Sequence, residues 1–239
     1  MIKQLRSSGG MWLSHKKTNM MIDPGPGALV RCNSVRPKLD PGTLDAILLT
    51  HKHLDHAGDI NAMIEAMTEG GFKKKGTIFL PADALGEDGV IFSYLKDFPE
   101  QTVLLKKGKF CIGDISFEIP VRNDHPCETY GIKFFIGDTI VSLVADTDYF
   151  DELISIYKGS TVLILNVVFH QRRDDIKHLC LEEAIELIKK IKPRKAVITH
   201  FGMSMLKAKP YLLEEKLKEE LQADIVFARD GMKLELSLE

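Results

Sequence analysis

Apolar runs in the first half of the chain are short and separated by turns, whereas in the second half they alternate with helical patterns. The run at 46–49 is apolar throughout, which is typical of a buried strand. Similar runs predict strands at 11–13, 19–22, 77–80, 102–105, 115–121, 130–136, 140–145, 162–165 and 196–199. A β-rich first half followed by βα units predicts two sheets with helices outside.

Apolar residues at helical spacing predict helices at 59–69, 88–96, 149–157, 181–191 and 211–221. The pattern at 181–191 forms one continuous stripe, so this helix is expected to pack on a flat surface such as a sheet. The turn at 23–27 contains two prolines and two glycines, which excludes regular structure there.

At 239 residues the chain is long enough for one large layered domain or two small ones, and we predict a single domain over residues 1–239; its 44% hydrophobic and 28% charged residues are ordinary for a globular protein. The net charge of −2 provides no general basic field for nucleic acid. No apolar run approaches the roughly 18 residues of a membrane span. The cysteines at 32, 111, 127 and 180 are far apart and follow no signal peptide. We therefore expect a soluble, cytoplasmic protein with reduced thiols.

Potential metal ligands are concentrated directly after the predicted strand at 46–49: His51, His53, Asp55 and His56 lie within six residues. In an extended loop, residues i and i+2 point the same way, so His51 and His53 could bind one ion while Asp55 and His56 turn toward a second. Imidazole and carboxylate are ligands that zinc, manganese or iron accept. The sequence therefore predicts a metal site on this strand-to-helix loop.

Six residues cannot complete two metal sites, so further ligands are expected from later loops. His125, Asp146 and His200 each stand at or just beyond the end of a predicted strand. A loop at such a position can project its side chain from the rim of a sheet. This shared placement strengthens the prediction of a metal centre.

The segment at 50–58, together with His125, Asp146, His200 and the upstream turn at 23–25, resembles the metallo-β-lactamase superfamily from about Gly9 to Phe201. The resemblance implies an α/β fold, the four-layer αββα metallo-β-lactamase sandwich. It also implies two metal ions, with zinc expected and manganese or iron as alternatives. The implied ligands are His51, His53 and His125 for one ion and Asp55, His56 and His200 for the other, with Asp146 bridging both.

Two adjacent ions can share one hydroxide, lower its pKa toward neutrality and stabilise the transition state. A bridging carboxylate offsets part of the repulsion between them. The expected chemistry is therefore hydrolysis at a phosphoryl or carbonyl centre, with Asp55 and His178 as candidate catalytic residues.

The segment at 178–184 resembles the His-Leu-Ser/Thr element of ribonuclease Z and the phosphoribosyl cyclic phosphodiesterases. There the histidine lies near the metals, and here His178 could protonate a leaving group or steady the phosphate, a task that suits a histidine because its ordinary pKa is near neutrality. Cys180 replaces the usual hydroxyl residue, so the following helix is expected to lack a good N-cap. His178 could instead merely begin that helix.

A small phosphodiester is the preferred substrate, because no basic, glycine-rich insertion resembles the tRNA-binding arm of ribonuclease Z. The alternatives are a lactone, ester or thioester hydrolase on the same centre, and a non-catalytic metal-binding sensor or scaffold. A homodimer stays open.

Other polar residues have two interpretations each. Asp23 could orient a ligand histidine or cap its own turn. Arg172 and Arg173 could bind a substrate phosphate or form exposed ion pairs. His15 and His170 fit no ligand pattern and are expected to have surface or hydrogen-bonding roles.

Overall fold

The computed structural model describes residues 5–8 and 10–236. Gly9, where the family resemblance begins, lies outside the described residues. By its internal contacts the chain divides into two compact units, residues 1–116 and 117–239, and we describe each by itself. A single domain over residues 1–239 stays a prediction. Within the described residues, no helix is both long enough and apolar enough to cross a bilayer.

The first unit is built on a mixed sheet. Its strands are β1 (Met11–His15), β2 (Thr18–Ile22), β3 (Ala46–Leu48), β4 (Thr77–Leu80) and β5 (Gln101–Leu104), and β6 (Gly108–Ile112) follows in the chain. The sheet order is β1-β2-β3-β4-β5. The β1–β2 pair is antiparallel, and the remaining pairs are parallel. The predicted strands of this half are confirmed to within two residues, although β6 was not predicted.

Helices of the first unit cover the apolar face of its sheet. They are α1 (Ala28–Ser34), α2 (Leu54–Ala57) and α3 (Ile60–Met67), with short 3-10 turns at Pro41–Thr43, Ala82–Ala84 and Ser93–Leu95. Met63 and Met67 of α3 are fully buried in one cluster with Ile47 of β3 and Leu80 of β4. The prediction of a helix at 59–69 is confirmed.

The predicted helix at 88–96 is wrong, because that segment contains only the 3-10 turn Ser93–Leu95. The Asn61 side chain donates to the Val90 carbonyl (2.8 Å) and accepts from the Phe92 amide (2.9 Å). A helix would need these backbone groups for its own hydrogen bonds. A tertiary contact has therefore overridden the local apolar pattern.

The second unit contains the βα repeats. Its strands are β7 (Ile115–Ile119), which begins in the first unit, β8 (Ile132–Ile136), β9 (Thr139–Val144), β10 (Val162–Phe169), β11 (Leu179–Cys180), β12 (Lys195–Thr199) and β13 (Ile225–Phe227). Its helices are α4 (Glu152–Tyr157), α5 (Leu181–Ile191), α6 (Met203–Lys207) and α7 (Pro210–Leu221). The sheet runs in the order β13-β12-β10-β9-β8, with β11 beside β10. Strands β9, β10, β12 and β13 are parallel, and β8 pairs antiparallel with β9.

Helix α5 packs on this parallel sheet through the predicted stripe. Leu181, Ala184, Leu187, Ile188 and Ile191 are buried in one cluster with residues of β10 and β12. Its bounds match the prediction at both ends. The helix backs the strands from which the candidate site residues emerge.

A second buried contact lies beneath the same sheet. Tyr157 is fully buried, and among the described residues its hydroxyl has no hydrogen-bond partner. The ring fits because residue 131 is glycine: a Cβ there would lie 1.8 Å from the Tyr157 hydroxyl oxygen and 3.4 Å from Asn123 Oδ1. Burial raises the pKa of Tyr157, so the phenol stays neutral.

Replacing Leu187 with alanine tests the packing of α5. Leu187 is 0% exposed, so we expect Leu187→Ala to lower the free energy of unfolding by about 2–5 kcal/mol through lost burial and a residual cavity. Urea unfolding followed by circular dichroism measures the change. Lys189→Ala, on the exposed face of α5, is the control and should change it by less than about 0.5 kcal/mol. Equal effects from both substitutions would contradict the packing.

Candidate metal centre

The histidine run begins where β3 ends. His51 and His53 lie in the loop after the strand, whereas Asp55 and His56 lie in the short helix α2. The expectation that all four stand on a loop is therefore wrong for Asp55 and His56. The chain turns helical directly after His53, where the His56 and Ala57 amides both donate to the His53 carbonyl. This turn changes the direction in which the later pair projects.

Asp23 orients residues of the histidine run through hydrogen bonds. Its buried carboxylate accepts hydrogen bonds from the Thr50 amide (2.7 Å), the Thr50 hydroxyl (2.7 Å) and His56 Nδ1 (3.0 Å). An ionised carboxylate only accepts, so the proton of His56 is on Nδ1. Of the two roles open for Asp23, the structure shows the orientation of a histidine. Its backbone is left-handed (φ 50°), a conformation that is unusual outside glycine.

The same hydrogen bonds define the tautomer of His51. Because the Thr50 hydroxyl donates to Asp23, its oxygen accepts from His51 Nδ1 at 3.1 Å. The rings of His51 and His56 are 4.1 Å apart, and those of His51 and His53 are 4.8 Å apart. His56 Nε2 lies 3.9 Å from Asp55 Oδ2. Nε2 is therefore the ring nitrogen suited to metal ligation in both His51 and His56.

The proline- and glycine-rich turn packs directly on this helix. The Asp59 amide donates to the Pro24 carbonyl at 2.8 Å. A Cβ on Gly58, at the end of α2, would lie 2.5 Å from the Pro26 ring, so only glycine allows this approach. The turn at 23–27 therefore fixes both Asp23 and the helix that carries His56.

The second unit brings the other predicted residues together from the ends of its strands and from the loops that connect them. Asp146 follows β9, His178 precedes β11 and His200 follows β12, while His125 lies between β7 and β8. Asp146 Oδ2 lies 3.6 Å from His178 Nδ1 and 3.7 Å from His200 Nε2. The ligand atoms of His125, Asp146 and His178 all lie within 4.8 Å of one another. The residues that the sequence placed at strand ends therefore lie close together within this unit.

Two asparagines that were not predicted hold Asp146. Asn166 Nδ2 donates to Asp146 Oδ1 at 2.8 Å, so the other carboxylate oxygen faces the histidines. Asn123 Nδ2 donates to the carbonyls of Ala145 and Asp146, each at 3.1 Å. The available signal was Asn166 itself, a polar residue directly after the apolar run at 162–165. An asparagine buried in a parallel strand requires a hydrogen-bond partner.

His125 and His200 are held by the backbone. His125 Nδ1 donates to the Lys177 carbonyl at 3.0 Å, which again makes Nε2 the suitable ligand atom. His200 has a left-handed backbone (φ 64°) directly after β12, and such outliers cluster at functional sites. The His178 ring lies close to both, 5.0 Å from the His125 ring and 6.1 Å from that of His200.

The arginines that could have bound a substrate phosphate form ion pairs instead. Arg172 pairs with Asp148, Asp174 and Glu183, and Arg173 pairs with Asp175. In the part of the chain that the structure describes, neither His15 nor His170 joins a ligand group.

The expectation that α5 lacks a good N-cap is wrong. The Cys180 sulfur accepts from the Glu183 amide, and Glu183 Oε2 accepts from the Cys180 amide at 2.8 Å, so a capping box with both hydrogen bonds begins the helix.

These two groups fit divalent metal ions. The first contains two imidazoles, His51 and His56, whose Nδ1 is engaged by an oxygen atom, and the second contains one, His125; this contact directs Nε2 toward a ligand position, and each group also contains a carboxylate. This is the arrangement found behind metal-ligating histidines in general.

The chain matches the model of the Beta-lactamase superfamily domain over residues 18–201. It is 30% identical to the uncharacterized protein MJ1374 of Methanocaldococcus jannaschii, aligned over 98% of this chain and 90% of that protein. The chain belongs to the β-lactamase superfamily. The expected metallo-β-lactamase α/β fold, with two mixed sheets and helices packed on them, is confirmed.

Two further relatives carry more specific names. The probable metallo-hydrolase YhfI of Bacillus subtilis is 27% identical over 76% of this chain and 75% of its own length. The crystal structure of YhfI superposes with a TM-score of 0.79 at 22% identity, covering 95% of this chain and 90% of YhfI. The crystal structure of a diphosphatase from the PhnP family has a TM-score of 0.70 at 22% identity, covering 97% of this chain and 85% of that one. The ribonuclease Z-like branch suggested by the sequence is consistent with these relatives.

Asparagine at position 23 tests the orientation of His56. Asp23→Asn removes the charge that accepts from His56 and Thr50, while asparagine tolerates the left-handed backbone. We expect zinc affinity to fall by about 10–100-fold, measured by competition with a chromophoric chelator. The control Asp114→Asn removes a carboxylate that pairs with Lys16 at the surface and should leave affinity unchanged. An unchanged affinity in Asp23→Asn would exclude this role.

Proposed function

We propose that the protein is a dinuclear metal-dependent hydrolase that acts on a small phosphodiester. The observation that carries the proposal is Asp146: one of its oxygens is held by Asn166, while the other lies within 3.7 Å of ring nitrogens of both His178 and His200. The ligand sets are those implied by the family resemblance: His51, His53 and His125 for one ion, Asp55, His56 and His200 for the other, and Asp146 for both.

The ligand set supports this assignment chemically. Neutral imidazole and carboxylate are suited to ions that keep a position open for water or substrate. When bound, two such ions supply a water-derived nucleophile at neutral pH and stabilise the charge that develops on the substrate oxygens. Zinc is the expected metal, with manganese or iron as alternatives. Asp55, which lies beside His56 Nε2, is proposed as a ligand and a catalytic residue.

His178 is proposed as the general acid. It is the histidine that the family resemblance leaves outside the ligand set, yet its ring contacts those of both His125 and His200 and its Nδ1 is 3.6 Å from Asp146. Its side chain is 16% exposed, so solvent reaches the ring. A histidine so placed can donate a proton to the oxygen of a departing alcohol.

Phosphodiester chemistry is favoured over acyl transfer by the placement of His178 and by the likeness to a PhnP-family diphosphatase. The alternative is a lactone, ester or thioester hydrolase on the same centre. A sensor or scaffold without activity is less well supported, because it leaves His178 without a chemical role. We further propose a cytoplasmic location and a small-molecule substrate rather than tRNA, and a homodimer stays open.

Metal content and turnover test the proposal together. We expect two zinc ions per chain by elemental analysis and hydrolysis of bis(4-nitrophenyl) phosphate at a higher rate than that of a lactone and thioester panel. His53→Ala should bind less metal and lose turnover, because it removes a proposed ligand. The control His170→Ala, a histidine outside the ligand groups, should match the parent in both.

The outcomes separate the candidates. Faster acyl hydrolysis would select the alternative substrate class. Full metal content without turnover on any substrate would favour the sensor. Unchanged metal content in His53→Ala would refute the ligand assignment itself.

The dependence on leaving group tests His178. Alkoxide leaves poorly unless it is protonated, whereas 4-nitrophenolate leaves without help. We therefore expect His178→Ala to lower kcat by about 10²–10⁴-fold for an alkyl phosphodiester, and far less for the 4-nitrophenyl ester. The same loss on both substrates would show that His178 acts by holding the phosphate or the metals.

A further inference from the structure

Arg172 contacts carboxylates on three different segments of the second unit. Its Nη1 donates to Asp148 and, at 2.7 Å, to Glu183, while its Nε donates to Asp174 at 3.2 Å. Asp148 follows β9, Glu183 lies in the first turn of α5, and Asp174 belongs to the same loop as Arg172. A planar guanidinium can make such contacts at once, which a lysine ammonium does less well.

Both distant partners of Arg172 stand close to residues of the candidate centre. Asp148 is two residues after Asp146. Glu183 uses its second oxygen to accept the Cys180 amide, two residues after His178. Arg172 therefore links the segment that carries Asp146 to the segment that carries His178.

The loop at 170–178 is also held at its far end. Lys177 pairs with Asp124, and the Lys177 carbonyl accepts from His125 Nδ1 at 3.0 Å. The Asp148 amide in turn donates to the Asp124 carbonyl at 2.8 Å. Movement of this loop would therefore disturb both the orientation of His125 and the place of His178.

Partial burial distinguishes the Asp148 and Glu183 contacts of Arg172 from ordinary surface pairs, whereas Asp174 is 95% exposed. The Asp148 and Glu183 side chains are 21% and 16% exposed, compared with 51% and 63% for Arg173 and its partner Asp175.

We propose that Arg172 is a positioning residue: its guanidinium fixes the loop at 170–178 so that His125 and His178 are held against Asp146. The proposal rests on the proposed function for its kinetic consequence. Its effect on metal binding does not require turnover. Arg172 acts through the loop and does not itself bind the substrate phosphate.

The test compares three variants with the parent chain: Arg172→Gln, Arg172→Lys and Arg173→Gln. Arg173→Gln is the matched control, because its ion pair with Asp175 joins two residues of one loop, and its other contact, 5.5 Å over the Phe169 ring, is with the end of the strand that leads into the same loop. We expect Arg172→Gln to weaken zinc affinity by about 3- to 10-fold, less than the loss of a direct partner of a ligand histidine. It should also lower kcat on an alkyl phosphodiester more than it raises KM. Arg172→Lys should recover part of both effects, and Arg173→Gln should match the parent.

The zinc titration separates this proposal from the proposed function. If the parent chain turns over no substrate, the proposed function fails, while the affinity series still decides the role of Arg172. If Arg172→Gln lowers only the melting temperature and keeps the zinc affinity of Arg173→Gln, the positioning role is overturned. Should Arg172→Gln fail to fold, Glu183→Gln gives the same readouts with a smaller change, and parent-like zinc affinity there overturns the proposal equally.

Discussion

Parallel pairing of β9, β10 and β12 is the constraint on which the site of the second unit depends. Parallel strands end at the same edge of a sheet, so whatever follows them is brought together there. Asp146 follows β9, the loop that leads to His178 follows β10, and His200 follows β12. Helix α5 stabilises this arrangement by covering the sheet with its apolar stripe.

The orientation of the candidate ligands depends on the residues that hydrogen-bond to them. Nδ1 of His56 donates to a carboxylate oxygen, Nδ1 of His51 to a hydroxyl oxygen, and Nδ1 of His125 to a carbonyl oxygen. Each of these contacts selects one tautomer and one ring orientation, which a flexible histidine on a loop would lack. Asn166 does the same for Asp146 by holding one of its oxygens. The fold therefore determines, before any ion binds, which ring nitrogens and which carboxylate oxygen are directed toward a ligand position.

The sequence predicted the strands and helices whose apolar pattern is strong. It identified α5 at both ends, and it placed His51, Asp146 and His200 at strand ends. The prediction of a helix at 88–96 was wrong because the Asn61 side chain forms hydrogen bonds with backbone groups of that segment. The sequence did not predict the short strand β13 or the helix α1, which have too few residues to show a period.

The supporting residues of the site were harder to foresee than the ligands. Asn166, Asn123 and Arg172 act through contacts with residues that are 20 to 24 positions away in the chain. Such contacts leave no periodic pattern in the local sequence. A metal ligand can be predicted from its residue type, whereas a residue that orients a ligand is identified only by its position in the folded structure.

Glycine at position 131 shows how far from the centre a sequence restriction can extend. Any side chain there would meet the buried Tyr157 hydroxyl and approach Asn123, whose amide holds the backbone of Asp146. Tyr157 has no room to withdraw, because it is fully buried in the core beneath the sheet. Mutational tolerance at this position is therefore set by the buried Tyr157 hydroxyl, and homologous chains that keep Tyr157 should be confined to glycine there.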